Sequence, residues 1–259
     1  MSWIDKRPVP DVILDEPPLT EVICQVRFPT VLRLQHDPAL IAKIQDRLRG
    51  IYPNVEAGAV FQIGIPSELQ QAPQIAVART TWQVTDPNSK WAVAIASDFV
   101  ALSTSDYDHW DDFARRLEPV IAAVFEEAVI GSVSRIGLRY TNMISAASGQ
   151  SWSNLIEPAL LCWLADPGEG RQVDSALQEV RLTTPACRVG FRHGILPPSD
   201  GIASKYLIDT DCYTDEAADA IPSALLSLIA TFNDTANRFF FNAVTPEGLD
   251  TLKPRSKGG

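Results

Sequence analysis

The sequence predicts an α+β protein, and three observations carry that expectation. Short stretches alternate apolar and polar residues, the two-residue period of a strand with one buried face. Two longer stretches, 106–128 and 219–243, repeat apolar residues every three to four positions, as an amphipathic helix does. The strand-like stretches come in runs between helices and do not alternate singly with them. That order argues for an antiparallel sheet with helices packed on one face.

Residues 1–20 carry prolines at positions 8, 10, 17 and 18 among several acids. Proline fixes φ and has no N–H, so this stretch is read as an extended arm. The first clear strand is "EVICQVRF", 21–28, with Val22, Cys24, Val26 and Phe28 on one face. A helix follows over 38–49: Asp37 suits the N-cap, Pro38 the first turn, and Gly50 the stop. Its apolar stripe is Leu40, Ile41, Ile44 and Leu48. Strands are expected at 59–65, 74–84, 90–97 and 99–104, with "DPNSK", 86–90, as a hairpin turn. The helix at 106–128 brings Tyr107, Trp110, Phe113, Leu117, Ile121, Val124 and Phe125 to one side. Acids crowd its first turns, where the helix dipole favours them.

The second half repeats this order. A strand is expected at 133–144 and a helix at 152–165, with Pro158 near its start. Strands at 176–184, 186–195 and 204–212 and the long helix 219–243 complete it. The chain therefore divides into an arm, 1–20, two pseudo-repeats, 21–130 and 131–245, and a flexible tail, 246–259. The element order suggests an internal duplication, with an architecture like one repeat of the TATA-binding fold or like a helix-grip fold. The terminal Gly-Gly matches the tails of conjugated ubiquitin-like proteins, though a frayed end is the plainer reading.

A hydrophobic content of 46% is enough for a sizeable core, and 21% charged residues without a long polar tract argues against disorder. The formal charge of −10, from 22 basic and 32 acidic residues, disfavours nucleic acid as a partner, although a local basic patch stays open. Cys24, Cys162, Cys187 and Cys212 show no C-x-x-C spacing and are read as free thiols of a reducing cytoplasm. No basic start leads into an apolar run at the N-terminus, and no stretch approaches the ~18 apolar residues of a membrane helix. The expectation is a cytoplasmic protein without a membrane partner.

Three stretches in combination resemble a known family. They are "PPLTEVICQVRFP" (17–29), "WAVAIASDFVALSTSDYDHWDDF" (91–113) and "SRIGLRYTNMI" (134–144). The chain is similar to a sporadically distributed family of uncharacterised bacterial and archaeal proteins. Its members share a Pro-Pro opening strand, a Tyr-x-x-Trp-x-x-Phe helix start and an Arg-Ile-Gly-Leu-Arg-Tyr-x-Asn strand. The resemblance implies a bacterial or archaeal protein of this length. The family's patchy distribution implies genes carried on mobile or defence loci. It implies no activity.

Arg-x-Gly-x-Arg occurs twice, as Arg135, Gly137 and Arg139 and as Arg188, Gly190 and Arg192. Residues i and i+4 of a strand lie about 13 Å apart on one face. If the two strands were neighbours, four guanidiniums would form a stripe suited to carboxylate or phosphate. The plainer reading pairs these arginines with acids across strands. The glycines could admit a ligand or mark a bulge.

Asp108, His109 and Asp112 are weak candidates for a metal, with Asp108 and Asp112 one helical turn apart. Their place at a helix N-terminus explains acids without a metal, and three histidines in the chain disfavour a zinc site. No P-loop, G-x-S-x-G, H-E-x-x-H or G-x-G-x-x-G occurs, so neither a cofactor nor a catalytic set is assigned. Two functions remain in view. One is a non-catalytic binding or assembly module that recognises a protein or a small anionic ligand. The other is an enzyme acting on a phosphorylated or nucleotide-like substrate at an arginine-lined sheet face.

Overall fold

A computed structural model describes residues 3–57, 81–147, 150–165, 168, 173–198 and 204–256. After a 3-10 turn at Trp3–Asp5 come β1 (Val12–Leu14), β2 (Leu19–Arg27), α1 (Arg33–His36) and α2 (Pro38–Leu48). Then follow β3 (Asn54–Ala57), β4 (Trp82–Thr85), β5 (Trp91–Ile95), β6 (Phe99–Thr104) and α3 (Trp110–Ala128). Next are β7 (Ser132–Val133), β8 (Arg135–Ser145), α4 (Trp152–Leu155) and α5 (Pro158–Leu161). The chain ends with β9 (Ala176–Thr183), β10 (Arg188–Leu196), β11 (Lys205–Thr214), β12 (Ala218–Asp219), α6 (Pro222–Ala243), α7 (Pro246–Thr251) and β13 (Pro254–Ser256). The fold is α+β with antiparallel sheet. The strand expected at 59–65, and most of that at 74–84, lie outside the described residues. Among the described residues no helix is long and apolar enough to cross a membrane.

The chain gathers into two compact units. One comprises Met1–Val22, Gly137–Thr214 and Leu228–Gly259; the other comprises Ile23–Ile136 and Asp215–Ser227. This does not follow the expected cut at 130/131. Both chain ends join the same unit, and β2, β8 and α6 each run from one unit into the other.

In the unit built on 23–136, the strand order is β3-β4-β5-β6-β2. Asp86 makes the β4–β5 hairpin, accepting from the N–H groups of Lys90 (2.7 Å) and Trp91 (2.9 Å). Asp37 caps α2 by accepting from Ala39 and Leu40, and Pro38 occupies the first turn. Leu40, Ile41, Ile44 and Leu48 are buried, as their spacing predicts. In α3 the apolar side buries Phe113, Leu117, Val120, Ile121, Val124 and Phe125. Phe125 meets Phe28 edge-on at 6.3 Å, and Phe113 meets Trp91 at 5.7 Å. The helix starts at Trp110, not at 106. The Thr104 hydroxyl accepts from the Asp106 N–H at 2.9 Å, a local bond that competes with helix, and His109 is fully extended.

In the other unit the order is β2-β8-β11-β10-β9. Its core face carries Val189, Phe191, His193, Tyr206, Ile208 and Leu138, with Phe232 and Phe239 of α6. Trp3 packs on Phe191 (5.3 Å) and Phe239 (5.8 Å), so the N-terminal arm is anchored by an aromatic side chain. The expected helix at 152–165 is broken into α4, α5 and a 3-10 turn at Cys162–Ala165. Ile156 forms a β-bridge with Val244, and Pro158 forces Glu157 out of the helical region before α5 begins. The tail is also not a free end. α7 occupies 246–251, capped by the Thr245 side chain, and β13 pairs antiparallel with β1. Arg255 bonds Asp15 at 2.6 Å, which ties tail to arm. The terminal Gly-Gly lies outside the described residues.

Candidate functional site

The polar face of β8, β11, β10 and β9 holds three of the four predicted arginines. Strand periodicity puts Arg139 and Gly137 on this face from β8, and Arg188, Gly190 and Arg192 from β10. The two strands are not neighbours. β11 lies between them and contributes Asp209, Asp211 and Tyr213. The expected stripe of guanidiniums is therefore interrupted by carboxylates.

Arg139 grips Asp209 with two bonds, Nε to Oδ1 and Nη2 to Oδ2, each 2.7 Å. Arg192, opposite Asp209 in the β10–β11 register, donates to the same Oδ2 through Nη2 (2.8 Å) and Nε (3.3 Å). The Asp209 carboxylate is 5% exposed and is met by a guanidinium on each side. Burial opposes the Arg139 charge, but the bonds it donates to Asp209, with Asp211 and Glu21 nearby, hold it protonated more firmly than usual. Glu21 is pushed above the ordinary carboxylate range, first by burial and further by Asp209, against the pull of Arg139. Two cations thus stand among three carboxylates, and Oδ2 of Asp209 has no capacity left for another donor.

The glycines flank Asp211. A Cβ on Gly137 would lie 3.5 Å from Asp211 Oδ1, and one on Gly190 would lie 3.8 Å from Asp211 Cβ, both ordinary contacts. Gly190 stays in regular register with Asp211 and Arg181, so it marks no bulge. Arg188 faces Tyr213 and Thr183. Arg135 belongs to the other unit, where it donates to Asp215 at 2.7 Å.

The acidic candidates do not converge. Asp108 precedes α3, so it shares no helical face with Asp112; it pairs with His109 at 2.8 Å. Asp112 bonds Arg116 at 3.0 Å, and the Arg116 guanidinium lies 4.4 Å over the Trp91 ring. Among the described residues no group of three or more His, Cys, Asp or Glu could hold a metal ion.

Two groupings escape a reading of the sequence. Cys187 and Cys212 meet in the β10–β11 hairpin. Hydrogen bonding from Cys212 first, and from Thr184, lowers the Cys187 thiol to about 7 against the effect of burial. Only the register, with Val189 opposite Cys212, brings the two thiols together. The second is a groove of about 510 Å³ between the arm and α6, lined by Asp5, Arg7, Val9, Asp234, Asn237 and Arg238. Its charges are engaged locally: Asp5 lies 3.8 Å from Arg238, and Arg7 donates to the carbonyls of Asn242 and Val244. No protein-family model matches the chain, and no curated protein matches it.

Proposed function

We propose that this protein is a non-catalytic binding or assembly module of the cytoplasm, and that it recognises another protein surface. One observation carries the reading. Arg139 and Arg192, the groups best suited to an anion, are both committed to the buried carboxylate of Asp209. An incoming phosphate or dicarboxylate would have to displace a carboxylate that is already bidentately held and desolvated. The four free cysteines support a reducing compartment.

The test is a thermal-shift screen with nucleotides, phosphate, dicarboxylates and divalent ions, run on wild type and Arg139→Ala. A ligand of the native state raises Tm by mass action. The expected result is no shift with any of them in either protein. An anion-dependent rise present in wild type and lost in Arg139→Ala would overturn the reading in favour of an enzyme or ligand site on this face.

A further inference from the structure

The strand β9 lies at the edge of its sheet, paired on one side with β10 and, among the described residues, with no strand on the other. Natural sheets protect such edges with lysines, prolines, bulges or short length. β9 has no lysine, proline or bulge, and its two charged side chains, Glu179 and Arg181, are of opposite sign, so they repel no second copy that sets one against the other. The strand runs eight residues, "ALQEVRLT", in unbroken register with β10. Leu177 is 36% exposed and Val180 41% exposed, one on each face of the strand. We propose that β9 is a homodimerisation edge that pairs antiparallel with β9 of a second copy about a two-fold axis at Val180.

The register follows from symmetry and charge. Two copies joined edge to edge by a two-fold axis perpendicular to the sheet keep the same face upward. A residue can then oppose only a residue of its own face, so the axis must pass through a residue and not between two. Near the strand centre that leaves Glu179, Val180 or Arg181. An axis at Glu179 sets Glu179 against its own copy, and an axis at Arg181 does the same with Arg181. Like charges directly opposite repel. An axis at Val180 places Glu179 against Arg181 of the second copy twice over, Val180 against Val180, and Gln178 against Leu182. Glu179 and Arg181 already touch along the strand at 3.1 Å, so they present a ready alternation of charge. Main-chain hydrogen bonds then join the edges, and the side-chain pairs select the register.

This inference rests on the assembly reading and names its partner. The experiment is sedimentation equilibrium of the full chain, with Glu179→Arg, Arg181→Glu and the double exchange. Both side chains are more than half exposed, so the variants should fold; far-UV circular dichroism and Tm confirm it. Wild type is expected to dimerise. Each single variant should self-associate about tenfold more weakly or worse, since two attractive pairs become repulsive. The double exchange should restore wild-type association, and the two single variants mixed should form a heterodimer. A wild-type monomer at about 100 μM would overturn the proposal, as would single variants that dimerise like wild type or a double exchange that stays weak. None of those results bears on the anion screen, so the module reading stands or falls separately.

Discussion

Arg139 and Asp209 form a bidentate pair across β8 and β11, with both N–H···O distances at 2.7 Å and Arg192 closing on the same carboxylate from β10. Asp209→Ala would leave two part-buried guanidiniums facing each other without the one carboxylate that bonds both. Breaking a buried pair from one side costs about 3–5 kcal/mol. The exposed pair of Arg135 and Asp215 is the control, where Asp215→Ala should cost no more than about 1 kcal/mol. Urea unfolding of the two variants measures both. Equal losses would show that Asp209 is not the charge pin of this face.

His193 makes stability depend on pH. Burial lowers its pKa from the ordinary 6.5 to about 4, and its Nδ1 lies 2.8 Å from the buried Tyr206 hydroxyl. The unfolded chain therefore takes up a proton near 6.5 that the folded chain refuses until about 4. The stability held above pH 6.5 is lost progressively as pH falls toward 4, by about 3 kcal/mol in all. His193→Gln removes the titration. Its Tm should fall less steeply than that of wild type between pH 6.5 and 4, whatever its absolute value. Parallel curves would rule this histidine out as the source.

Val129 ends α3 in a left-handed conformation, φ 56° and ψ 52°, and is 83% exposed. A β-branched side chain there is strained by about 1–2 kcal/mol, and glycine is the residue that suits the position. Val129→Gly removes the strain and an exposed apolar group while keeping the Ile130 N–H bond to the Phe125 carbonyl. Glycine also gains more freedom in the unfolded chain, which takes back part of the benefit. A net gain of about 1 kcal/mol is expected, visible as a Tm several degrees higher by calorimetry.

What was legible in the sequence is what local chemistry decides. Asp37-Pro38 with the Leu40, Ile41, Ile44 and Leu48 stripe marks α2, because its cap, first turn and apolar spacing are all local in sequence. Alternation specifies β2, with Val22, Cys24, Val26 and Phe28 all buried. The misses are long-range. Strand periodicity places Arg139 and Arg192 on one face, but nothing local inserts β11 between their strands or singles out Asp209 as their partner. The Ile156 bridge to Val244 that splits the helix at Pro158 joins positions far apart in sequence. The tail looked free because its partner, β1, lies at the opposite end of the chain.

The arm offers the sharpest local test. Asn242 on α6 is buried and serves Arg7 twice, accepting from its N–H at 2.9 Å and donating to its carbonyl at 3.2 Å. A third bond reaches the Arg238 carbonyl at 3.0 Å. The side chain thus treats the arm as a paired strand would, and with Trp3 it makes the arm a docked element and not a solvated spacer. Asn242→Ala leaves the two Arg7 backbone groups unpaired, at a cost of about 1–3 kcal/mol if they stay buried. The arm can escape that cost by detaching. The expected signature is therefore local: faster amide exchange at Arg7 and quicker protease cleavage at residues 3–11, while the amides of β10 and β11 keep their protection. Uniformly faster exchange would instead make Asn242 part of the cooperative core, with the arm folding and unfolding together with the sheet.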